Sequence, residues 1–340
     1  KRHESLYFFD GNIALLAPKE NGANVIFRVH KSILARHSLV FANMFVIHPS
    51  QDGETHDGIP VVRMPEDTEQ TESLLNALYY PENTSSESKT SLTHHAPLPP
   101  DEIRRVLYMA TKYKIYHLRR DIIHRLQINW PQSLAQWDLL EAEFSSMDSL
   151  SKQDGNEALR VMYTHLDDCY PEPVSAIRIA RECDVPSILP AAFYHLSRLS
   201  ATVDDWNHAR GQHHIEGYKP PNPGRRTARW DALPASDLLC LIKGRESLIR
   251  AELDLVFSDD CGCYGRNAEC VGIKKSGLLE EIYAERSRTV DVLAMLRHYV
   301  DRTDYGDQIC SACCAFMKGR LCRARQTLWT QLPDLFQLPN

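Results

Sequence analysis

Between Asn24 and Phe45 the chain changes its hydrophobic period, and few folds accommodate the change. Val25, Phe27 and Val29 alternate with Ile26 and Arg28, a repeat of two that suits a strand with one face buried. From Lys31 onward, Ile33, Leu34, Phe41, Met44 and Phe45 recur at helical steps, with a break near His37–Ser38. A strand that runs directly into two short apolar helices requires sheet and helices to share one core. Upstream, DGNIALLAP (Asp10 to Pro18) reads as a turn followed by an apolar run, and KENGAN joins it to the alternating strand, so a hairpin is expected. Downstream, Ser50 to Gly58 reads as a loop and Ile59 to Met64 as a third strand. A helix then opens with Glu66, Asp67 and Glu69 near its positive end and carries Leu74, Leu75, Leu78 and Tyr79 on one face.

Pro81 to Pro100 is rich in Ser, Thr and Pro and reads as a flexible insertion, most of it within 82–100. Asp101 to Trp130 shows two helical faces, Ile103–Val106–Leu107–Ala110–Tyr113–Ile115 and Leu118–Ile122–Ile123–Leu126. Past Pro131 the pattern is helical throughout. Short amphipathic helices are expected at Leu134 to Phe144, Glu157 to Leu166, Val174 to Cys183 and Pro190 to Leu199, with prolines at their boundaries. Longer ones follow at Ala235 to Val256, Leu278 to Val300 and Ile309 to Trp329. The expected class is α+β over residues 5–130, a small sheet with surrounding helices. A helical region at 131–210, a Gly/His/Pro loop at 211–224 and a helical, cysteine-rich region at 225–340 complete the chain.

Composition excludes several function classes. No run approaches the roughly 20 apolar residues of a membrane span, and a net charge of −6 argues against a nucleic-acid surface. The basic run Lys318, Arg320, Arg323 and Arg325 reads as a solvated helix face. Lys1 to Phe9 lack the pattern of an export signal, so an intracellular protein, cytoplasmic or nuclear, is expected. No nucleophile elbow, phosphate loop or dinucleotide fingerprint occurs. His30 closes a strand beside a helix and reads as a hydrogen-bonded structural histidine. His94–His95 and His213–His214 read as solvated loop residues.

Ten cysteines are unevenly placed. Cys169, Cys183 and Cys240 stand alone and read as small buried residues. Cys261, Cys263, Cys270, Cys310, Cys313, Cys314 and Cys322 crowd the last quarter, which in a reduced compartment points to metal or redox chemistry before disulfides. Cys310-Ser-Ala-Cys313 has the spacing of half a tetrahedral zinc site, with Cys263 and Cys270 as the other half and Cys261 as an alternate ligand. The same pair could serve a thiol oxidoreductase, although that chemistry wants a buried strand before it.

Four segments stand in one order: FRVHKSILARHSLVFANMF from Phe27, IPVVRMPED from Ile59, TESLLNALYYPE from Thr71 and VLYMATKYKIYHLRRDIIHRL from Val106. Together they resemble the BTB/POZ domain, with His30, Leu34, Phe41, Met44 and Phe45 as its signature. SAIRIARECDVPSILPAAFYHLS (Ser175 to Ser197) and the tail CSACCAFMKGRLCRARQTLWTQLPDLFQLP (Cys310 to Pro339) make the likeness closest to a fungal, basidiomycete-type class of BTB proteins. The sequence departs from animal relatives where these place an Asp before a Val in the first strand: Asn12–Ile13 stand there, with Asp10 two residues earlier. It also lacks the hydrophobic-x-Glu motif of cullin adaptors between Val46 and Gly58, where Asp52 precedes Glu54. Met64-Pro65-Glu66 has the letters but lies beyond the next strand.

The resemblance implies a non-catalytic scaffold that pairs with itself or with another BTB protein. A substrate adaptor for a cullin-type ubiquitin ligase is the alternative within binding modules, and the thiol oxidoreductase using Cys310 and Cys313 is the rival from another class.

Overall fold

A computed structural model describes residues 1–47, 54–81, 100–152, 172–206, 226–251, 277–302 and 309–338. These form two compact units. The first comprises Lys1–Asn129 with Arg178–Val185, and the second begins at Trp130 and includes Glu172–Ile177 and Pro186–Asn340.

The first unit is built on a five-stranded mixed sheet of order β1-β3-β2-β5-β4. Strands β2 (Ile13–Pro18) and β3 (Asn24–Val29) form the expected hairpin, in register from Ile13 opposite Val29 to Pro18 opposite Asn24. Gly22, at φ +76°, supplies the left-handed residue of its turn. Strand β2 is buried at Ile13, Ala14, Leu15 and Ala17, on both faces of the sheet, which explains an apolar run without alternation. Strand β5 (Ile59–Arg63) lies parallel to β2 on its other side.

Two strands went unread in the sequence. Strand β1 (Arg2–Tyr7) pairs parallel to β3, and β4 (Thr55–His56) pairs with β5 within the stretch expected to be a loop. The β4–β5 turn is Asp57–Gly58, at φ +50° and +75°, the Asp-Gly chemistry that a two-residue hairpin demands. Strand β1 escapes a periodicity reading because it is bulged: between its paired residues Arg2 and Tyr7 it advances five residues against two on β3. Asp57 accepts hydrogen bonds from Tyr7 Oη and Arg2 Nη2, both at 2.7 Å, so side chains tie β1 to the β4–β5 turn.

Helices α1 (Lys31–His37) and α2 (Leu39–Ile47) follow β3, separated at Ser38 as the period predicted. Ser38 is extended, at φ −135° and ψ 119°, and its buried hydroxyl accepts from Phe41 N at 3.2 Å, capping α2, while donating to Tyr113 O at 2.6 Å. Helix α3 (Thr68–Tyr79) starts with a capping box between Asp67 and Gln70, and α4 (Pro100–Lys112) packs against it. Lys114, left-handed at φ +53°, turns the chain into α5 (Tyr116–Asn129), with Ile115 N donating back to Ala110 O at 2.8 Å. The device recurs where Asp184, at φ +55°, follows α7 (Pro173–Glu182) and Val185 N donates to Ala180 O at 2.9 Å.

The described part of the second unit is helical: α6 (Leu134–Lys152), α8 (Leu189–Ser197), α9 (Ala235–Arg250), α10 (Leu278–Arg286), α11 (Val292–Asp301) and α12 (Ser311–Leu335). Three expectations need correction. Helix α8 is not amphipathic but buried at Leu189 and throughout Ala191 to Ser197, the mark of a helix packed on all sides. The single helix expected over Leu278 to Val300 is two: α10 ends at Arg286, and Asp291 caps the start of α11 by accepting from Ala294 N. Helix α12 continues past Trp329 through Pro333 to Leu335. Gly244 of α9 lies so close to the Phe336 ring that a methyl group there would collide with it. The insertion at 82–99, the helix expected at Glu157 to Leu166 and the loop at 211–224 lie outside the described residues.

Ser38→Ala removes the cap of α2 and leaves the buried Tyr113 carbonyl without its hydroxyl donor, so a loss of about 1–3 kcal/mol is expected. Chemical denaturation followed by circular dichroism measures it.

Candidate functional site

The β3–α1 junction shows why the signature residues stand where they do. His30 ends β3, and its backbone N–H donates to Tyr79 Oη at 2.8 Å. The Tyr79 hydroxyl lies 3.1 Å from His30 Nδ1, and His30 Nε2 lies 3.3 Å from Asp10 Oδ1. Tyr79 at Nδ1 and Asp10 at Nε2 give both ring nitrogens a polar neighbour. Phe8 stacks on Tyr79 with centroids 4.9 Å apart, and burial raises the Tyr79 pKa. Asn12, standing where animal relatives have the Asp, accepts from Lys31 N at 2.8 Å and so serves the first turn of α1. His30 therefore meets its carboxylate in Asp10.

Leu34 and Phe41 are fully buried, whereas Met44 and Phe45 are half-buried. Phe41 stacks face to face on Tyr113, with centroids 4.5 Å apart and planes within 3°. Tyr113 Oη donates to Glu66 at 2.7 Å, and Lys112 pairs with the same buried carboxylate. Burial, then the Glu66 hydrogen bond, holds the Tyr113 pKa well above the tyrosine range.

Above this core lie two surface features. One is a groove of about 360 Å³ between the ends of α1 and α3 and the bodies of α4 and α5. Leu78, Ile103, Val106, Leu118 and Ile122 line it with hydrocarbon, and Glu102, Asp121, Arg125, His37 and His117 add its polar groups. His37 Nδ1 and His117 Nε2 are 3.2 Å apart. Desolvation first, and then the nearby His117 and Arg36, lower the His37 pKa. The other feature is a set of large apolar side chains in water: Leu39 and Val46, seven residues apart on one side of α2, are 64% and 77% exposed, and Phe9 and Tyr116 are 90% and 65% exposed.

In the second unit the structure assembles a buried charge network that no local pattern announced. Arg198, just past α8, donates to both Glu141 oxygens at 2.9 and 2.8 Å and to Asp291 at 2.7 Å. Tyr194 Oη donates to Asp291 at 2.8 Å and accepts from Leu293 N at 2.8 Å. Arg198 and Arg226 both reach His195 Nδ1, at 2.7 and 3.4 Å. Two guanidinium donors on one nitrogen make it an acceptor, so His195 is neutral with its proton on Nε2. Burial first, and then the two arginines, hold its pKa well below the usual histidine value. Arg325 also corrects the sequence reading: it is 5% exposed and forks onto Asp138 at 2.9 and 2.5 Å, rather than lying on a solvated face.

Cys310 occupies the N-cap of α12 and Cys313 lies fully buried one turn in. Cys261, Cys263, Cys270 and Cys169, with His94, His95, His213 and His214, fall outside the described residues. Among the described residues no three His, Cys, Asp or Glu gather as a metal site, and no named strand precedes Cys310 in the second unit, as thioredoxin-like chemistry would want. Cys183 is buried, which pushes its thiol up to about 11, and Cys240 is half-buried. No helix among the described residues is long and apolar enough to cross a membrane.

A family model of the BTB/POZ domain matches residues 15–128, so the first unit carries that domain, with a helical region following it. None of the curated proteins matches the chain.

Below the ordinary histidine value near 6.5 an unfolded His195 takes up a proton that the folded one refuses. The unfolded state then binds more protons, and stability falls as pH drops from 6.5 toward 5, by about 1.4 kcal/mol per pH unit for this one group. All five tryptophans lie beyond residue 129, so fluorescence-detected urea titrations at several pH values follow this unit alone.

Proposed function

We propose that the protein is a non-catalytic scaffold whose BTB/POZ domain pairs with a second copy or with another BTB protein, the helical unit engaging a client. BTB/POZ domains are protein-interaction modules. The observation that carries the reading is the paired exposure of Leu39 and Val46 on one face of α2, in a domain whose interior is otherwise closed. Interfaces are dominated by such apolar anchors, and a monomer gains nothing by holding them in water. Light scattering on the eluting protein should return twice the chain mass. The exposed pair Leu39→Glu and Val46→Glu should return the monomer mass with an unchanged circular dichroism spectrum. A wild-type chain that stays monomeric at high concentration overturns self-pairing. Pulldown with a cullin scaffold tests the ligase-adaptor form of the reading, for which the missing hydrophobic-x-Glu motif predicts no capture.

The proposal includes structural zinc on Cys263, Cys270, Cys310 and Cys313, with Cys261 as the alternate ligand. Its support is the placing of Cys310 and Cys313 three residues apart at the start of α12, a spacing that brings two thiols to one side of a helix. Metal analysis of protein made without added zinc should find it in stoichiometric amount. Metal-free protein with every thiol titratable in the folded state removes this part.

A further inference from the structure

Neither the pairing of the domain nor the cysteines accounts for His37 and His117. They come from sequence positions 80 residues apart, one at the end of α1 and one in the first turn of α5, and meet at the groove. We propose that these two imidazoles form an open site for a divalent d-block cation of the zinc class. Their facing nitrogens are 3.2 Å apart. With zinc–nitrogen bonds of about 2.0–2.1 Å, that separation subtends an angle of roughly 100° at a shared ion, close to tetrahedral. The ring centroids are 4.9 Å apart with planes inclined at 42°, shorter than a collinear N–H···N pair with the same nitrogen separation would give. The ring axes are therefore bent away from the line joining the nitrogens, as two ligands of one ion require.

The chemistry is consistent with that geometry. Metal ligation needs both facing nitrogens as lone pairs. Each ring then carries its N–H on the far nitrogen, His37 Nε2 and His117 Nδ1. Imidazole selects zinc, cobalt, nickel or copper over magnesium or calcium, which prefer oxygen. No third protein ligand completes a cluster among the described residues, so the remaining positions face the groove and water. His117 is exposed and His37 half-buried, which gives an ion a way in.

Cobalt distinguishes this site from the cysteines, because thiolate ligands add a near-ultraviolet charge-transfer band and imidazoles do not. The 340-residue chain should bind one equivalent of Co2+ beyond those that produce the thiolate band. His37→Gln and His117→Gln retain a hydrogen-bonding amide at the pair, and each should lose that one equivalent with the thiolate band unchanged. Equal stoichiometry and affinity in wild type and both variants overturns the proposal. A second measurement needs no variant. Zn2+ added to wild-type protein carrying 15N-labelled histidines should shift the nitrogen resonances of His37 Nδ1 and His117 Nε2, and unshifted resonances at both atoms overturn the proposal whatever the variants do.

Discussion

Each unit is organised around a segment closed off from water over most of its length, β2 in the first and α8 in the second. Such a segment exposes little polar surface to solvent, so its hydrogen bonds come chiefly from neighbouring elements. Strand β2 meets the demand mainly with backbone, lying antiparallel to β3 and parallel to β5, and Thr68 Oγ1 donates to the carbonyls of Ala17 and Pro18 at its end. The hairpin fixes one neighbour through a short turn. The other arrives only after α1, α2 and the β4–β5 turn, so the helices are part of the route that brings β5 home.

Helix α8 faces the harder version of the problem, because it carries Tyr194 and His195 into the interior and ends at Arg198. Burying these groups unpaired would cost several kcal/mol in sum. Glu141 of α6 and Asp291 at the start of α11 pair with Arg198, and Asp291 also takes the Tyr194 hydroxyl. Asp291 thereby performs three tasks at once, capping α11, neutralising Arg198 and satisfying Tyr194. Helix α11 thus starts at this residue's cap, after α10 has ended at Arg286.

The same economy explains what the first unit leaves outside. Its core is closed by Phe27, Leu34, Phe41 and Tyr113, and among its buried polar groups Ser38 and Glu66 are engaged. Leu39, Val46, Phe9 and Tyr116 are therefore surplus to folding, and the interaction reading rests on that surplus. His30 sits at the end of β3 as part of the frame: its contacts to Tyr79 and Asp10 hold strand, helix and N-terminal segment together.

Local physics made much of this legible in the sequence. The change of period at Lys31 gave α1 and α2, the break at Ser38 followed from its helical spacing, and alternation gave β3. The order of four short segments was enough to recognise the domain. What stayed hidden depends on partners distant in sequence. Strand β1 is defined by pairing with β3 across a bulge that erases its period, and β4 is two residues long, too short for any period. Arg325 looked solvated because its carboxylate, Asp138, is 187 residues away, and the fork between them exists only after α6 and α12 have packed. His37 and His117 are unremarkable in their own helices. Residue spacing along the chain determined which elements form and which domain they compose. Packing alone decided which charges are buried together and which side chains remain outside to meet a partner, because burial depends on what lies across space, not on what lies next in the chain.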